Sequence, residues 1–241
     1  MLEAYLTIDD SPWGRTDELT DFLKEREIPA LLFACGNDLE KNPDAIVRAI
    51  QKGFVIGNHS YAHQPAGDLG FDAWRDDFEK MEDLIDQAYK DAGVKRPGHY
   101  YRFPYIDRGD GVRVERAAAS GEGDVITNGP EVQKIQDYLK NKDVSQPFTN
   151  MPPDYMFDAA DSLFTFTSGD WMLTQRHKGK WEYQSVDDLK TRIDSDESLK
   201  NHNHRHVILM HDQPDIFEEA CALIDYFVEK GFTFLAFDQN T

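Results

Sequence analysis

The chain has 241 residues, 40% of them hydrophobic, with 15 Phe, 10 Tyr and 4 Trp, which is ample for a buried core and excludes a disordered chain. Its 26 basic residues against 45 acidic ones leave a net charge of −19, a balance that repels phosphate backbones and anionic membranes and argues against a nucleic-acid partner. No run is long enough to span a membrane, and the two cysteines, Cys35 and Cys221, lie far apart in apolar stretches, as expected of buried free thiols.

In chain order, strand-like and helix-like runs alternate. Ala4–Ile8 is a short apolar strand, and Thr16–Glu27 a helix with Leu19, Phe22 and Leu23 on one face, stopped by Pro29. Ala30–Ala34 is a second strand, Pro43–Lys52 a helix, and Phe54–Ile56 a third strand after Gly53. Phe71–Ala92 is a long amphipathic helix with an acidic outer face, followed by a strand at Tyr100–Phe103. Val112–Ser120 reads as helix, Asp124–Thr127 as strand, Val132–Lys142 as helix and Ser145–Ser162, with three prolines, as a long loop. Phe164–Thr167 resumes strand character, then come a helix at Ser185–Leu199, a buried strand at Val207–Met210, a helix at Ile216–Lys230 and a last strand at Phe232–Phe237. Repeated strand–helix units specify an α/β protein with a mainly parallel sheet of about seven or eight strands and helices outside. Nothing in composition divides the chain, so residues 1–241 are read as one domain. The start, MLEAYLTIDD, lacks a basic region and a long apolar segment, so no signal peptide is read. A chain trimmed at that point would suit a periplasmic or secreted protein, an untrimmed one the cytoplasm; the oligomeric state is left open.

Polar residues collect where the apolar strands end: Asp9 and Asp10, then Asn58, His59 and His63, then Arg102 and Tyr105, then Asp170 and Trp171, then His211 and Asp212. The carboxyl ends of parallel strands are where such folds place their sites. His59 and His63 are four apart, a spacing that can aim both imidazoles at one ion, with a carboxylate from Asp10 or Asp9 and an open position for water. Of two adjacent carboxylates one can bind the cation while the other accepts a proton from its water. His211 is placed to protonate a leaving group, oriented by Asp170 or Asp212; the alternative is a core histidine. Arg102 could neutralise buried carboxylates or be a surface ion pair. His202, His204 and His206 read as a solvated loop, and Trp13, Tyr61, Trp74, Tyr101 and Trp181 as core or as platforms for sugar rings.

Taken together, Thr7-Ile8-Asp9-Asp10-Ser11, Gly57-Asn58-His59-Ser60-Tyr61-Ala62-His63, Arg102-Phe103-Pro104-Tyr105, Asp170-Trp171 and Leu209-Met210-His211 resemble, in order and spacing, the five motifs of the polysaccharide deacetylases with a NodB-homology domain, carbohydrate esterase family four. The resemblance implies a distorted (β/α) barrel and hydrolytic removal of acetyl groups, amide- or ester-linked, from a poly- or oligosaccharide. It implies one divalent ion on Asp10, His59 and His63, with zinc first and cobalt, nickel or manganese as alternatives. It implies Asp9 as general base positioned by Arg102, His211 as general acid tuned by Asp170, and the Tyr105 backbone N–H at the oxyanion. Trp171 and Leu209 would line the acetyl pocket, and Ser60 would brace the second motif. Ser11 replaces the family's usual glycine, and Phe103-Pro104-Tyr105-Ile106-Asp107 departs from its common third motif, which leaves substrate choice open. Two rivals remain: a hydrolase of the same superfamily acting on a small amide or cyclic ureide, and a non-catalytic carbohydrate-binding relative.

Overall fold

The structure, a computed structural model, describes residues 2–111, 129–152 and 164–237. Six strands form one sheet: β1 (Leu2–Ser11), β2 (Ala30–Ala34), β3 (Val55–Asn58), β4 (Phe166–Thr167), β5 (His206–His211) and β6 (Phe232–Phe234). The order is β3-β2-β1-β5-β4, with β6 paired to the start of β1, and every ladder is parallel. Parallel neighbours need crossovers, and the helices supply them: α1 (Thr16–Glu25), α2 (Gly36–Leu39), α3 (Pro43–Lys52), α4 (Ala66–Leu69), α5 (Phe71–Ala92), α6 (Pro130–Asn141), α7 (Val186–Ser195) and α8 (Phe217–Glu229). The α/β architecture expected from the alternating runs is therefore present. Two isolated parallel bridges, Asn58↔Tyr101 and His99↔Val144, carry the curl of the sheet beyond β3, and no hydrogen-bonded ladder closes it into a barrel among the described residues.

Both faces of the sheet are covered, so the strand middles are largely apolar and period two sorts them. Ala4, Leu6 and Ile8 of β1, Leu32 of β2, Ile56 of β3 and Ile208 and Met210 of β5 pack in one cluster with Leu19, Leu23, Ile46, Ile50, Ile85 and Leu223 of the helices. The alternate residues Tyr5, Leu31, Phe33, Val55 and Val207 form a second cluster inside the curl. Along β1 the inner column continues Tyr5, Thr7, Asp9, and along β5 it continues Val207, Leu209, His211. Asp9 and His211 are register partners, so period two alone delivers a carboxylate and an imidazole side by side at the inner carboxyl edge.

Most expected elements are present, with shifts at their ends. The strand expected at Tyr100–Phe103 is reduced to the bridge at Tyr101, because Pro104 lacks an N–H and Tyr105 and Ile106 turn to positive φ (56° and 62°). The Ser185–Leu199 helix ends at Ser195, with Ser185 Oγ capping the Asp188 N–H. Val112–Ser120 and Asp124–Thr127 lie outside the described residues, as does most of the Ser145–Ser162 loop. Trp74 (1% exposed) and Tyr101 (3%) are core, joined by a hydrogen bond from Trp74 Nε1 to the Tyr101 hydroxyl (2.9 Å), so neither is a sugar platform. Both cysteines are free, Cys35 buried and Cys221 half-buried. No described helix is long and apolar enough to cross a membrane.

Candidate active site

Regular strand geometry would send Asp9 and Asp10 to opposite faces. The β1–β2 register shifts between Ile8 and Ser11, and Asp10 sits at φ +70°, so its side chain swings back to the side of Asp9. Left-handed backbone is costly for residues other than glycine and collects at functional sites. Of the eight such residues described, four line this pocket, Asp10, His63, Tyr105 and Ile106, and a fifth, Ser60, directly follows the lining residue His59.

The loop after β3 is held from beneath. Glu82 of α5, itself buried, accepts from Asn58 Nδ2 (2.9 Å), and Asn58 Oδ1 accepts the Ser60 N–H (2.8 Å). The Asp77 carboxylate accepts the N–H groups of Tyr61 (2.7 Å) and Ala62 (2.8 Å), and Ser60 Oγ accepts that of His63 (2.8 Å). Gly36 must lack a side chain for this loop to pack: a Cβ there would lie 2.3 Å from Tyr61 Cδ2 and 2.9 Å from its Cα. So fixed, His59 and His63 stand with ring centroids 5.0 Å apart.

His59 Nδ1–H donates to the Arg102 carbonyl (2.8 Å), which fixes the tautomer and leaves Nε2 as a lone-pair donor. That nitrogen lies 3.6 Å from Asp9 Oδ2 and 3.7 Å from Asp10 Oδ1. Burial lowers the His59 pKa, which keeps the ring neutral, the form that binds metals. His63 Nε2 lies 3.2 Å from Asp10 Oδ1, yet that oxygen is buried without a hydrogen-bond partner. The other oxygen, Oδ2, accepts from Gln213 Nε2 (2.7 Å). Burial alone would raise the Asp10 pKa, but contact with His63 and the charges of His63, His211 and His59 hold it well below the ordinary carboxylate range. A buried, ionised carboxylate with one bare oxygen between two imidazoles fits a divalent cation. The donor Cys35 Sγ also approaches: Asp10, Cys35 and His63 offer ligand atoms that all lie within 4.8 Å of one another. Burial, with the Asp10 charge next, pushes the Cys35 thiol pKa well up.

Arg102 is 1% exposed, so the surface-pair alternative is excluded. Its Nη1 donates to Asp9 Oδ1 (2.7 Å) and Thr7 Oγ1 (2.9 Å), and its guanidinium lies 4.4 Å from the Phe33 ring centroid. Across the β1–β5 ladder, His211 Nδ1–H donates to Asp170 Oδ1 (2.8 Å), and the His211 backbone N–H donates to Asp170 Oδ2 (2.8 Å). Asp170 rather than Asp212 is therefore the partner of His211; Asp212 accepts from Ser11 Oγ (3.0 Å) and Thr16 Oγ1 (2.5 Å). Burial opposes the imidazolium of His211, but the charge and hydrogen bond of Asp170, then the charges of Asp10 and Asp9, outweigh it and push the pKa up to about 9. Tyr105 packs its ring 4.9 Å from that of His63. One pocket is lined by Asp9, Asp10, His59, His63, Tyr105, Trp171, Leu209 and His211 together, with Phe103, Ile106, Phe164 and Met172 making much of it apolar. Arg102 and Asp170 stand behind this wall, each in contact with a lining side chain. Trp171 stacks edge-on against Trp181 (5.1 Å).

A sequence model of the family described as polysaccharide deacetylase matches residues 3–120, the segment that carries Asp9, Asp10, both histidines and Arg102. Residues 3–120 are thus similar in sequence to the polysaccharide deacetylases. A peptidoglycan-N-acetylglucosamine deacetylase of Bacillus cereus is 34% identical over 86 residues, 35% of this chain and 31% of the relative. This chain covers 31% to 41% of the first three curated relatives it matches. A family 4 carbohydrate esterase from Streptomyces lividans, solved in complex with acetate, superposes with a TM-score of 0.61 at 18% identity, covering 99% of this chain and 94% of that one. A family pseudoenzyme from Bacillus anthracis superposes with a TM-score of 0.59 at 19% identity, over 97% of this chain and 62% of that one. These likenesses show a shared fold that extends to the described residues beyond residue 120.

Sequence reasoning missed Gln213, Cys35, Asp77 and Glu82. Gln213, two residues past His211 at a strand end, carried a usable signal. The other three reach the site only through packing of β2 and α5 against the loop after β3. His206, the innermost of the alternating histidines, is 1% exposed and starts β5, at the opposite end of the strand from His211.

Proposed function

We propose that this chain is a metal-dependent deacetylase, its catalytic domain spanning residues 1–241, that releases acetate from an acetylated poly- or oligosaccharide. The observation that carries this reading is the pairing of two proton-handling groups across one pocket. Asp9, held by buried Arg102, and His211, held by Asp170, are register partners on adjoining strands. Asp10, His59 and His63 would hold the ion beside them, zinc first, since one carboxylate and two imidazoles suit it. When bound, that ion supplies Lewis acidity to the acetyl carbonyl and lowers the pKa of its water.

The chain's own residues do the rest. Asp9 accepts the water's proton, and the Arg102 ion pair at Oδ1 keeps the carboxylate aimed. His211, charged at neutral pH, gives its Nε2 proton to the departing nitrogen or oxygen, while Asp170 holds Nδ1–H and stabilises the charge. The Tyr105 backbone N–H lies on the left-handed turn at the pocket wall and serves the developing oxyanion. Trp171 and Leu209 exclude water around the acetyl methyl.

The test is acetate release from acetylated chitin oligomers, peptidoglycan, acetylated xylan and a small aryl acetate, with and without chelator, using His59→Ala as control. Metal-dependent release that is lost in the variant supports the reading and selects the substrate class. A metal-loaded protein inert on every carbohydrate would refute it and turn attention to small amides, or to a non-catalytic role like that of the pseudoenzyme it resembles in fold.

A further inference from the structure

Beside the pocket lies a buried sulfur that none of the proton-transfer roles uses. Cys35 follows β2 directly, and its backbone N–H donates to the Ser11 carbonyl (2.8 Å), so its place is set by the same irregular β1–β2 junction that turns Asp10. Its Sγ has one weak contact, the His59 carbonyl at 3.8 Å. Among the described residues, Asp10, Cys35 and His63 are the one group of three such side chains whose ligand atoms all lie within 4.8 Å of each other. Zinc–sulfur bonds of about 2.3 Å and zinc–nitrogen or –oxygen bonds of about 2.0 Å place tetrahedral donors roughly 3.5 Å apart. The cluster is therefore within little more than about 1 Å of a shared coordination sphere.

A second observation points the same way. Asp10 is 8% exposed, and its Oδ1 is buried with no hydrogen bond although His63 Nε2 stands 3.2 Å off. A buried carboxylate oxygen that meets no well-formed hydrogen bond, gathered within 4.8 Å of an imidazole nitrogen and a sulfur, is an arrangement that a cation would satisfy.

We propose that Cys35 gives the ion a sulfur ligand beside Asp10 and His63, so that the centre is a mixed carboxylate–imidazole–thiolate site. The inference rests on the reading that this pocket holds a divalent ion. As the sulfur–metal bond forms, the S–H bond breaks and its proton leaves to solvent; no oxidant or reductant takes part. A thiolate donor ranks zinc and cobalt above manganese more steeply than oxygen and nitrogen donors alone. It also competes with water for the coordination position that hydrolysis needs open, so ion content and turnover need not rise together.

The experiment is a cobalt titration of the metal-free full chain followed by absorption spectroscopy. Bound cobalt gives visible ligand-field bands, and a thiolate ligand adds an intense sulfur-to-cobalt charge-transfer band in the near ultraviolet. We expect both in the wild type, loss of the charge-transfer band alone in Cys35→Ser, and no change in Cys221→Ser. The ratio of zinc to manganese affinity is expected to fall at least about tenfold in Cys35→Ser. Visible bands without the charge-transfer band in the wild type would overturn the proposal and leave the metal reading intact, even if the variant failed to fold. Persistence of the band in Cys35→Ser would overturn it equally. Failure of cobalt and zinc to bind the wild type at all would overturn the metal reading, and this inference with it.

Discussion

Replacing Asp170 by Asn removes the charge behind His211 at nearly constant size. In the folded protein His211 is held at about 9 against an ordinary 6.5, a displacement of roughly 3 kcal/mol in favour of the imidazolium. Burial, the largest single influence, works against that charge, so the variant leaves burial opposed only by Asp10 and Asp9. The value should fall by about 2.5 units or more, to the ordinary histidine value or below it. The assay is an NMR titration of the His211 ring in the chelated protein. Because the folded value is raised, the contribution of His211 to stability is complete below 6.5 and is lost as pH rises through about 9. Urea unfolding of wild type and variant should therefore differ most below about pH 6.5 and converge above about pH 9. In the active protein the alkaline limb of kcat should move down by the same interval. Metal loading should lower the wild-type value, since the ion offsets the charges of Asp10 and Asp9. A wild-type His211 that titrates near 6.5 in the chelated protein, or a variant that titrates where the wild type does, would refute the reasoning.

Other perturbations probe other parts of the site. Arg102→Met should cost about 3–5 kcal/mol in chemical denaturation, because it strands the buried Asp9 carboxylate without its partner; a cost below about 1 kcal/mol would contradict the buried pair. Asp77→Ala removes the acceptor of two loop N–H groups without touching the pocket, so zinc affinity should fall about 10- to 100-fold by competition with a chromophoric chelator while stability falls by only about 1–2 kcal/mol. Gly36→Ala should displace Tyr61 and lower the melting temperature by an amount equivalent to roughly 1–3 kcal/mol, since a Cβ cannot share the space of the Tyr61 backbone.

What the sequence revealed follows from what is local in it. Strands β1, β3 and β5 are buried on both faces, and each ends in polar residues. Asp9, His59 and His211 could therefore be placed at one edge before any coordinates were known. The pairing of Asp9 with His211 is a matter of register, and register depends on the whole β1–β5 ladder. The turn of Asp10 is a backbone irregularity that no side-chain pattern announces. Asp77 and Glu82 sit on the acidic helix α5 among many solvated carboxylates, and only packing distinguishes the two that face the loop. Cys35 was legible as a buried thiol but not as a neighbour of Asp10, because that proximity depends on how β2 leaves the sheet.

The ladder between β1 and β5 bears on how such a protein can diversify. Asp9 and His211, the proposed proton acceptor and donor, ride on adjoining backbones, about 4.8 Å apart in a parallel sheet, and the Asp212 N–H bonded to the Asp9 carbonyl (2.8 Å) locks the rungs together beyond them. The outer wall, by contrast, comes from the turn at Tyr105 and Ile106 and the segment around Trp171. Insertions or substitutions in those connections can recut the cavity for a different ligand without altering the spacing of Asp9 and His211. Selection can thus explore substrates through the loops while the chemistry stays anchored in the sheet.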